Sequence, residues 1–183
     1  MILLVDLCFR PRSLSRREFV DPIAGILSRS GSDCQVVHFF ELSEEAVQGA
    51  DRIILCGTAL KDDSYSKRID LFTWIRDSER PILGICAGMQ VIAAVFGGKI
   101  FPQPKIGLEG IDIVEETPLL GPPRRIEGYH LHNFGVTLPP GFVLVAGSPD
   151  GVEAFQHPDR PISGIIFHPE VRNRWIVEKF VSL

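Results

Sequence analysis

An apolar run that ends in a cysteine between two glycines is the feature that most limits how this chain can fold. Residues 81–90 read PILGICAGMQ, so Gly84 and Gly88 stand two residues before and two residues after Cys86. A strand can run this sharply into a helix only where small residues let the two elements approach, and the central residue then takes a strained backbone conformation. The pattern predicts a strand-to-helix elbow that presents the Cys86 thiol.

The position of Cys86 suits a nucleophile, because the N-terminus of the helix that follows favours a thiolate. The same residues are equally compatible with a tight turn around an inert, buried cysteine. A nucleophile also needs a base within hydrogen-bonding reach. The choice between the two interpretations therefore depends on the histidines.

The best candidate for the base lies in the segment GIIFHPE, at residues 164–170. His168 follows an apolar run that reads as a strand, and the strand period places Glu170 on the same face. Pro169 restricts the backbone between them. This arrangement is typical of an imidazole that is held by a carboxylate.

The other histidines are weaker candidates. His38 lies inside an early strand and His157 precedes a proline in a turn, so both are interpreted as structural. His130 and His132 have a spacing that could bind a metal, but no third ligand of matching geometry is apparent. No metal site is predicted.

The alternation of strand-like and helix-like segments in the first half predicts parallel βα units. Strands are predicted at residues 1–7, 34–40, 51–57 and 81–86, and helices at residues 14–29, 43–49, 66–78 and after Cys86. The second half has short β-like runs between proline and glycine turns, at residues 110–115, 124–131, 142–146, 151–156 and 161–167, and a helix at residues 171–181. We predict an α/β fold with a mixed sheet and a site at the carboxyl ends of its strands.

Composition narrows the class of protein. The chain has 183 residues, of which 45% are hydrophobic, and this fits a single domain over residues 1–183. A net charge of −4 gives no indication of nucleic acid or an anionic membrane as a partner. The chain has no segment with the pattern of a signal peptide or a membrane span, and its four cysteines lack disulfide spacing. We predict a cytoplasmic protein with reduced thiols.

The segments GICAGMQ and FHPE together resemble the class I glutamine amidotransferases, whose pattern is G-(I/V/L)-C-x-G-x-Q followed later by Q-F-H-P-E. The resemblance extends over nearly the whole chain, through FGGKI, LPPGFVLVA and VEAFQHPDRPISGIIFHPEV. It implies the flavodoxin-like fold of that family, with a central, mostly parallel sheet flanked by helices and a small antiparallel portion.

The resemblance also implies roles for single residues. Cys86 would attack the side-chain amide of glutamine and form a γ-glutamyl thioester, His168 would act as general base and then as acid, and Glu170 would orient the imidazole. The backbone N–H groups of Gly57 and Ala87 match the donors of the oxyanion hole. The positions that match the glutamine-binding residues are Gly57, Gln90, His132, Asn133 and Phe134.

The sequence departs from the family pattern at three places. The Gly-Gly-Pro loop is Cys56-Gly57-Thr58, the His-Ser-Asp stretch is His132-Asn133-Phe134, and Ile166 replaces the glutamine before FHPE. Gly57 keeps the backbone donor, but the rigidifying proline of the loop is missing. The geometry of this loop is therefore left open by the sequence.

No phosphate-binding G-x-x-x-x-G-K-(S/T) motif is present, so no cofactor is predicted in this chain. The resemblance implies a separate synthase subunit that accepts ammonia and itself uses ATP and Mg²⁺. Length and layout are most similar to the free-standing amidotransferase subunits of GMP synthase type, whose partner aminates XMP. A γ-glutamyl hydrolase or peptidase of the same fold, and a non-hydrolysing regulatory or binding member, remain as alternatives.

Overall fold

Nine strands form one sheet in the computed structural model, which describes residues 1–183. In chain order they are β1 (Ile2–Asp6), β2 (Cys34–His38), β3 (Arg52–Leu55), β4 (Ile82–Ile85), β5 (Ile100–Ile113), β6 (Arg124–Val136), β7 (Val143–Ser148), β8 (Gly151–Gln156) and β9 (Ile162–Ile165). Their order across the sheet is β2-β1-β3-β4-β9-β8-β7-β5-β6. The first five strands in this order, β2, β1, β3, β4 and β9, pair in parallel. The remaining four, β8, β7, β5 and β6, continue the sheet from β9 in antiparallel pairs.

Five α-helices connect or follow these strands: α1 (Leu14–Phe19), α2 (Asp21–Arg29), α3 (Glu44–Gln48), α4 (Ala87–Val95) and α5 (Trp175–Ser182). Two further segments, Phe39–Glu41 and Ser64–Asp77, are 3-10 helices. None of the helices combines the length and the apolar character needed to cross a bilayer. The alternation of strands and helices in the first half is the one that the sequence predicts.

The parallel strands are buried, which explains why their sequences are continuous apolar runs rather than alternating ones. All five residues of β1 and all four of β4 are buried. The 47 buried residues of the hydrophobic core form one continuous cluster. This continuity supports the predicted single domain over residues 1–183, which stays a prediction.

Two predicted helices differ in continuity or type, and the helix predicted over residues 171–181 begins only at Trp175. The helix predicted over residues 14–29 is split into α1 and α2 at Val20, because Pro22, at the start of α2, has no N–H to continue the preceding helix. The segment predicted as a helix over residues 66–78 is the 3-10 helix Ser64–Asp77, which is kinked at Arg68.

The antiparallel strands β5 and β6 are longer than the runs predicted at residues 110–115 and 124–131, with 14 and 13 residues. β5 passes through Pro102 and Pro104 with a shift of register between Pro102 and Lys105. Proline is tolerated at this irregular position because no backbone N–H is needed there for a hydrogen bond between the strands.

Candidate active site

Cys86 forms the turn between β4 and α4. Its backbone has φ 50° and ψ −102°, a conformation that L-residues rarely adopt and that is typical of functional turns. The residue directly precedes the first residue of α4 and is 3% exposed. Its Sγ lies 3.8 Å from the carbonyl oxygen of Leu131 in β6. The turn has the strained elbow geometry that the glycine spacing predicts.

Close backbone packing requires both glycines of the elbow. A Cβ atom on Gly84 would lie 2.6 Å from the carbonyl carbon of Gly88, and one on Gly88 would lie 2.2 Å from the carbonyl oxygen of Leu55. Rotation of a side chain cannot relieve either contact, because the obstructing atoms belong to the backbone. The G-x-C-x-G spacing therefore reflects how closely β3, β4 and α4 approach one another.

His168 and Glu170 lie beyond the carboxyl end of β9. The strand ends at Ile165, so the strand period does not reach these residues as predicted, and a turn in which the N–H of Val171 donates to the carbonyl of His168 brings the side chains together instead. His168 Nδ1 is 2.7 Å from Glu170 Oε1, and both side chains are buried. His168 Nε2 has no hydrogen-bond partner and is available for proton transfer.

The surroundings of His168 favour its protonated form. Burial opposes protonation, but the neighbouring Cys86 and Glu170 outweigh burial and raise the pKa of His168 well above its ordinary value. An imidazole in this environment retains a proton that it can later donate to a leaving group.

The raised pKa of His168 also predicts how stability depends on pH. The folded chain binds this proton more tightly than the unfolded chain, so the contribution to the free energy of unfolding is full below a pH of about 6.5 and is lost as pH rises through the folded pKa. We expect the decrease in Tm caused by Glu170→Gln to become smaller as pH rises from about 6 to about 10. Thermal unfolding followed by circular dichroism measures this, and a decrease that grows with pH would contradict the coupling.

The loop after β3 places Gly57 against both groups. A Cβ atom on Gly57 would lie 2.8 Å from His168 Cε1 and 3.6 Å from Cys86 Cβ. Any side chain at this position would displace the imidazole or the loop. The backbone of Gly57 therefore borders the space next to the thiol and the imidazole.

A cleft of about 100 Å³ opens beside the elbow. Its lining includes six of the residues predicted from the sequence: Cys86, Ala87, Gln90, His132, Asn133 and Phe134. The other three predicted residues, Gly57, His168 and Glu170, are outside this lining. The structure thus brings the thiol and the predicted glutamine-binding stretch to one cleft.

Gln90 is bound by protein groups at both ends of its amide. Its Oε1 accepts a hydrogen bond from the hydroxyl of Tyr65 at 2.6 Å, and its Nε2 donates to the carbonyl oxygen of Phe134 at 2.9 Å. The side chain therefore ties α4 to β6 and to the Ser64–Asp77 segment. A direct contact between Gln90 and glutamine stays a prediction.

His132 lines the cleft as a neutral imidazole. Burial, with a contribution from the nearby His130, lowers the pKa of His132 to about 4, and neither ring nitrogen has a hydrogen-bond partner. His130 instead lies with Nε2 2.6 Å from Glu153 Oε2. The structure contains no group of three or more His, Cys, Asp or Glu side chains placed to hold a metal ion.

The segment over residues 58–66 contributes cleft residues that the site prediction does not include, among them Thr58, Leu60 and Tyr65. Asn133 Nδ2 donates to the carbonyl oxygen of Leu60 at 3.1 Å and so ties this segment to β6. The polar composition of the segment, directly after a buried strand, indicates a loop at the site. It does not indicate which of its side chains face the thiol.

A family model described as glutamine amidotransferase class-I matches residues 17–178. A glutamine-hydrolysing GMP synthase subunit of Methanothrix thermoacetophila is 39% identical over 127 residues, which are 67% of this chain and 68% of the relative. The protein of the same name from Thermoplasma volcanium is 30% identical over 168 residues, or 86% of this chain and 83% of the relative. A crystal structure from Thermoplasma acidophilum, described as a GMP synthase subunit, superposes with a TM-score of 0.85 at 29% identity and covers 99% of this chain and 92% of its own. The chain belongs to the class I glutamine amidotransferases.

Proposed function

We propose that Cys86 is the nucleophile of glutamine hydrolysis and that His168 and Glu170 complete its catalytic triad. The observation that carries the proposal is a cysteine on a strained elbow next to an imidazole whose Nδ1 lies 2.7 Å from a buried carboxylate. Nucleophile, base and orienting group are the three parts that acyl transfer requires.

The proposed reaction has two steps. Cys86 Sγ attacks the side-chain amide carbon of glutamine while His168 holds the thiol proton, and the carbon–nitrogen bond breaks as His168 returns that proton to the departing ammonia. Water then attacks the γ-glutamyl thioester, with His168 as the base, and releases glutamate and the free thiol. Glu170 holds the imidazole in the required tautomer and stabilises its positive charge.

Two backbone donors stabilise the oxyanion in this proposal. Ala87 is the first residue of α4, where N–H groups lack partners within the helix, and it lines the cleft. Gly57 supplies the second N–H from the loop after β3, next to the imidazole. Donors fixed before the reaction starts are worth about 10²- to 10³-fold in rate each.

Gly57→Ala tests this part of the proposal. The added methyl group would lie 2.8 Å from His168 Cε1, so the loop or the ring must move. We expect the rate of ammonia release from glutamine to fall about 10²-fold, because displacements of about 1 Å have that effect. Gly25→Ala in α2, where the new Cβ meets only the flexible end of Arg29, is the matched control. Equal rates for the two variants would contradict the role of Gly57.

Glutamine occupies the cleft with its side-chain amide at Cys86. The stretch His132-Asn133-Phe134 forms one side, and the hydrogen bond from Gln90 fixes the Phe134 carbonyl at its end. In this arrangement Gln90 shapes the binding site and the neutral His132 adds no charge to it.

The released ammonia serves a separate synthase subunit. The relatives share a name that describes a glutamine-hydrolysing subunit of GMP synthase. This name supports amination of XMP as the reaction of the partner subunit. The partner would hold the ATP and Mg²⁺ of that reaction. The chain itself acts without a cofactor, as a single cytoplasmic amidotransferase domain over residues 1–183.

This assignment is tested by GMP formation. The chain is combined with the XMP-aminating subunit of the same organism, and GMP is measured with either glutamine or ammonium salts as the nitrogen source. We expect glutamine to support GMP formation only when this chain is present and Cys86 is intact, whereas ammonium salts support it in all cases. If glutamine is hydrolysed but no GMP forms while ammonium salts remain effective, this partner is wrong.

A further inference from the structure

The loop that carries Gly57 is tied down by a carboxylate. Thr58 is 4% exposed, and its Oγ1 donates a hydrogen bond to Asp62 Oδ2 at 2.8 Å. The same Oδ2 accepts the backbone N–H of Phe9 at 3.1 Å. One oxygen atom therefore joins the loop after β3 to the loop after β1.

This tie acts directly beside the proposed oxyanion donor. Glycine has the most permissive backbone of all residues, so Gly57 depends on its neighbours for a fixed orientation. Cys56 anchors one side, since its side chain is fully buried and its N–H donates to the carbonyl of Val5 at 3.1 Å. The hydroxyl of Thr58 provides the anchor on the other side.

The chemistry of the tie fits this purpose. A hydrogen bond to a carboxylate is shorter and stronger than one between neutral groups. The N–H of Phe9 holds Asp62 Oδ2 in place from the loop after β1. Rotation of the Thr58 side chain would therefore break its hydrogen bond to a fixed acceptor. The carboxylate thus restricts the backbone rather than only satisfying one buried hydroxyl.

We propose that Thr58 and Asp62 are positioning residues for glutamine hydrolysis, and that their hydrogen bond fixes the N–H of Gly57 towards the oxyanion. The inference rests on the proposed function of Gly57. It assigns no contact between the Thr58 hydroxyl and glutamine, and so it predicts an effect on kcat rather than on KM.

Thr58→Val tests the proposal, with Thr58→Ser as the matched variant that keeps the hydroxyl. We expect Thr58→Val to lower kcat for L-glutamine about 10- to 100-fold and to change KM less than about twofold, because a loosened donor costs less than a missing one. Thr58→Ser retains most of the wild-type kcat. Alkylation of Cys86 by iodoacetamide, which requires no oxyanion hole, proceeds at the wild-type rate in both variants.

Asp62 supplies a second, independent arm. Asp62→Asn keeps an oxygen that can accept both donors but loses the charge, so its kcat falls less than that of Asp62→Ala, which lowers kcat as Thr58→Val does. The Thr58→Val/Asp62→Ala double variant is no slower than the slower single variant, because both changes remove the same hydrogen bond between Thr58 and Asp62.

Three results would overturn the inference. The first is a wild-type kcat in Thr58→Val, the second is a rise in KM at constant kcat, and the third is a fall in iodoacetamide alkylation that matches the fall in kcat. These results leave the triad untouched. Failure of the proposed function itself appears separately, as glutamine hydrolysis that persists in Cys86→Ala.

Discussion

Replacing Cys86 with alanine is expected to reduce glutamine hydrolysis by about 10⁴-fold or more, since the nucleophile forms the bond that splits the reaction into two steps. The fold should remain, because the smaller side chain fits the elbow without new contacts. Initial rates of ammonia release, measured beside thermal unfolding, separate the two effects.

Cys34→Ala is the matched control for this experiment. Cys34 lies in β2, at the far edge of the parallel strands, and is one of the four free cysteines. We expect it to hydrolyse glutamine at the wild-type rate. Comparable activity in Cys86→Ala and Cys34→Ala would remove the basis for covalent catalysis.

His168→Gln is expected to lower the same rate by about 10²- to 10⁴-fold, the range that one general acid–base group supplies. The side-chain amide introduced by His168→Gln can reach Glu170 but cannot take a proton from the thiol or deliver one to ammonia. The loss should appear in kcat and in kcat/KM alike, because proton transfer takes place in the transition state and not in substrate binding.

His157→Gln serves as the control for the loss of a histidine. The ring of His157 packs against Phe142 at 5.1 Å between centroids and accepts hydrogen bonds from the backbone that follows it. His157 is not part of the cleft lining. We expect unchanged kinetics. A loss of activity equal to that of His168→Gln would show that the effect of the His168 variant is not specific to the site.

The fold and the family could be predicted from the sequence because they depend on local patterns. These patterns are the alternating strand-like and helix-like segments and the two short motifs GICAGMQ and FHPE. The prediction of a class I amidotransferase is confirmed by the family model that matches residues 17–178 and by the superposition with the Thermoplasma acidophilum structure. The elbow is predictable since its glycines respond to unavoidable backbone contacts, such as the one between Gly88 and Leu55.

The contacts around the cleft could not be predicted in the same way. The hydrogen bond between Tyr65 and Gln90 joins residues 25 positions apart, and the bond from Gln90 to Phe134 spans 44 positions. The periodicity of these segments does not predict the two contacts. The contacts result from how a kinked 3-10 segment and a long antiparallel strand pack against α4.

The contact made by Thr58, which stands where the family pattern has proline, could not be predicted from the sequence either. In the sequence this departure is the loss of a rigidifying proline, whereas in the structure the hydroxyl of Thr58 gains a carboxylate partner four residues later. The strand period predicts the pairing of His168 with Glu170, but the strand ends before them and a turn produces the contact. The sequence thus indicates the correct neighbour for an incomplete physical reason.

The most direct test of the central claim is intact-mass analysis after incubation with an electrophilic diazoketone analogue of glutamine. We predict a single covalent adduct on the wild-type chain, located to Cys86 by peptide mapping, that is absent from Cys86→Ser and is prevented by excess L-glutamine. An adduct that forms equally on Cys86→Ser, or that L-glutamine does not prevent, would contradict a glutamine site built on this thiol.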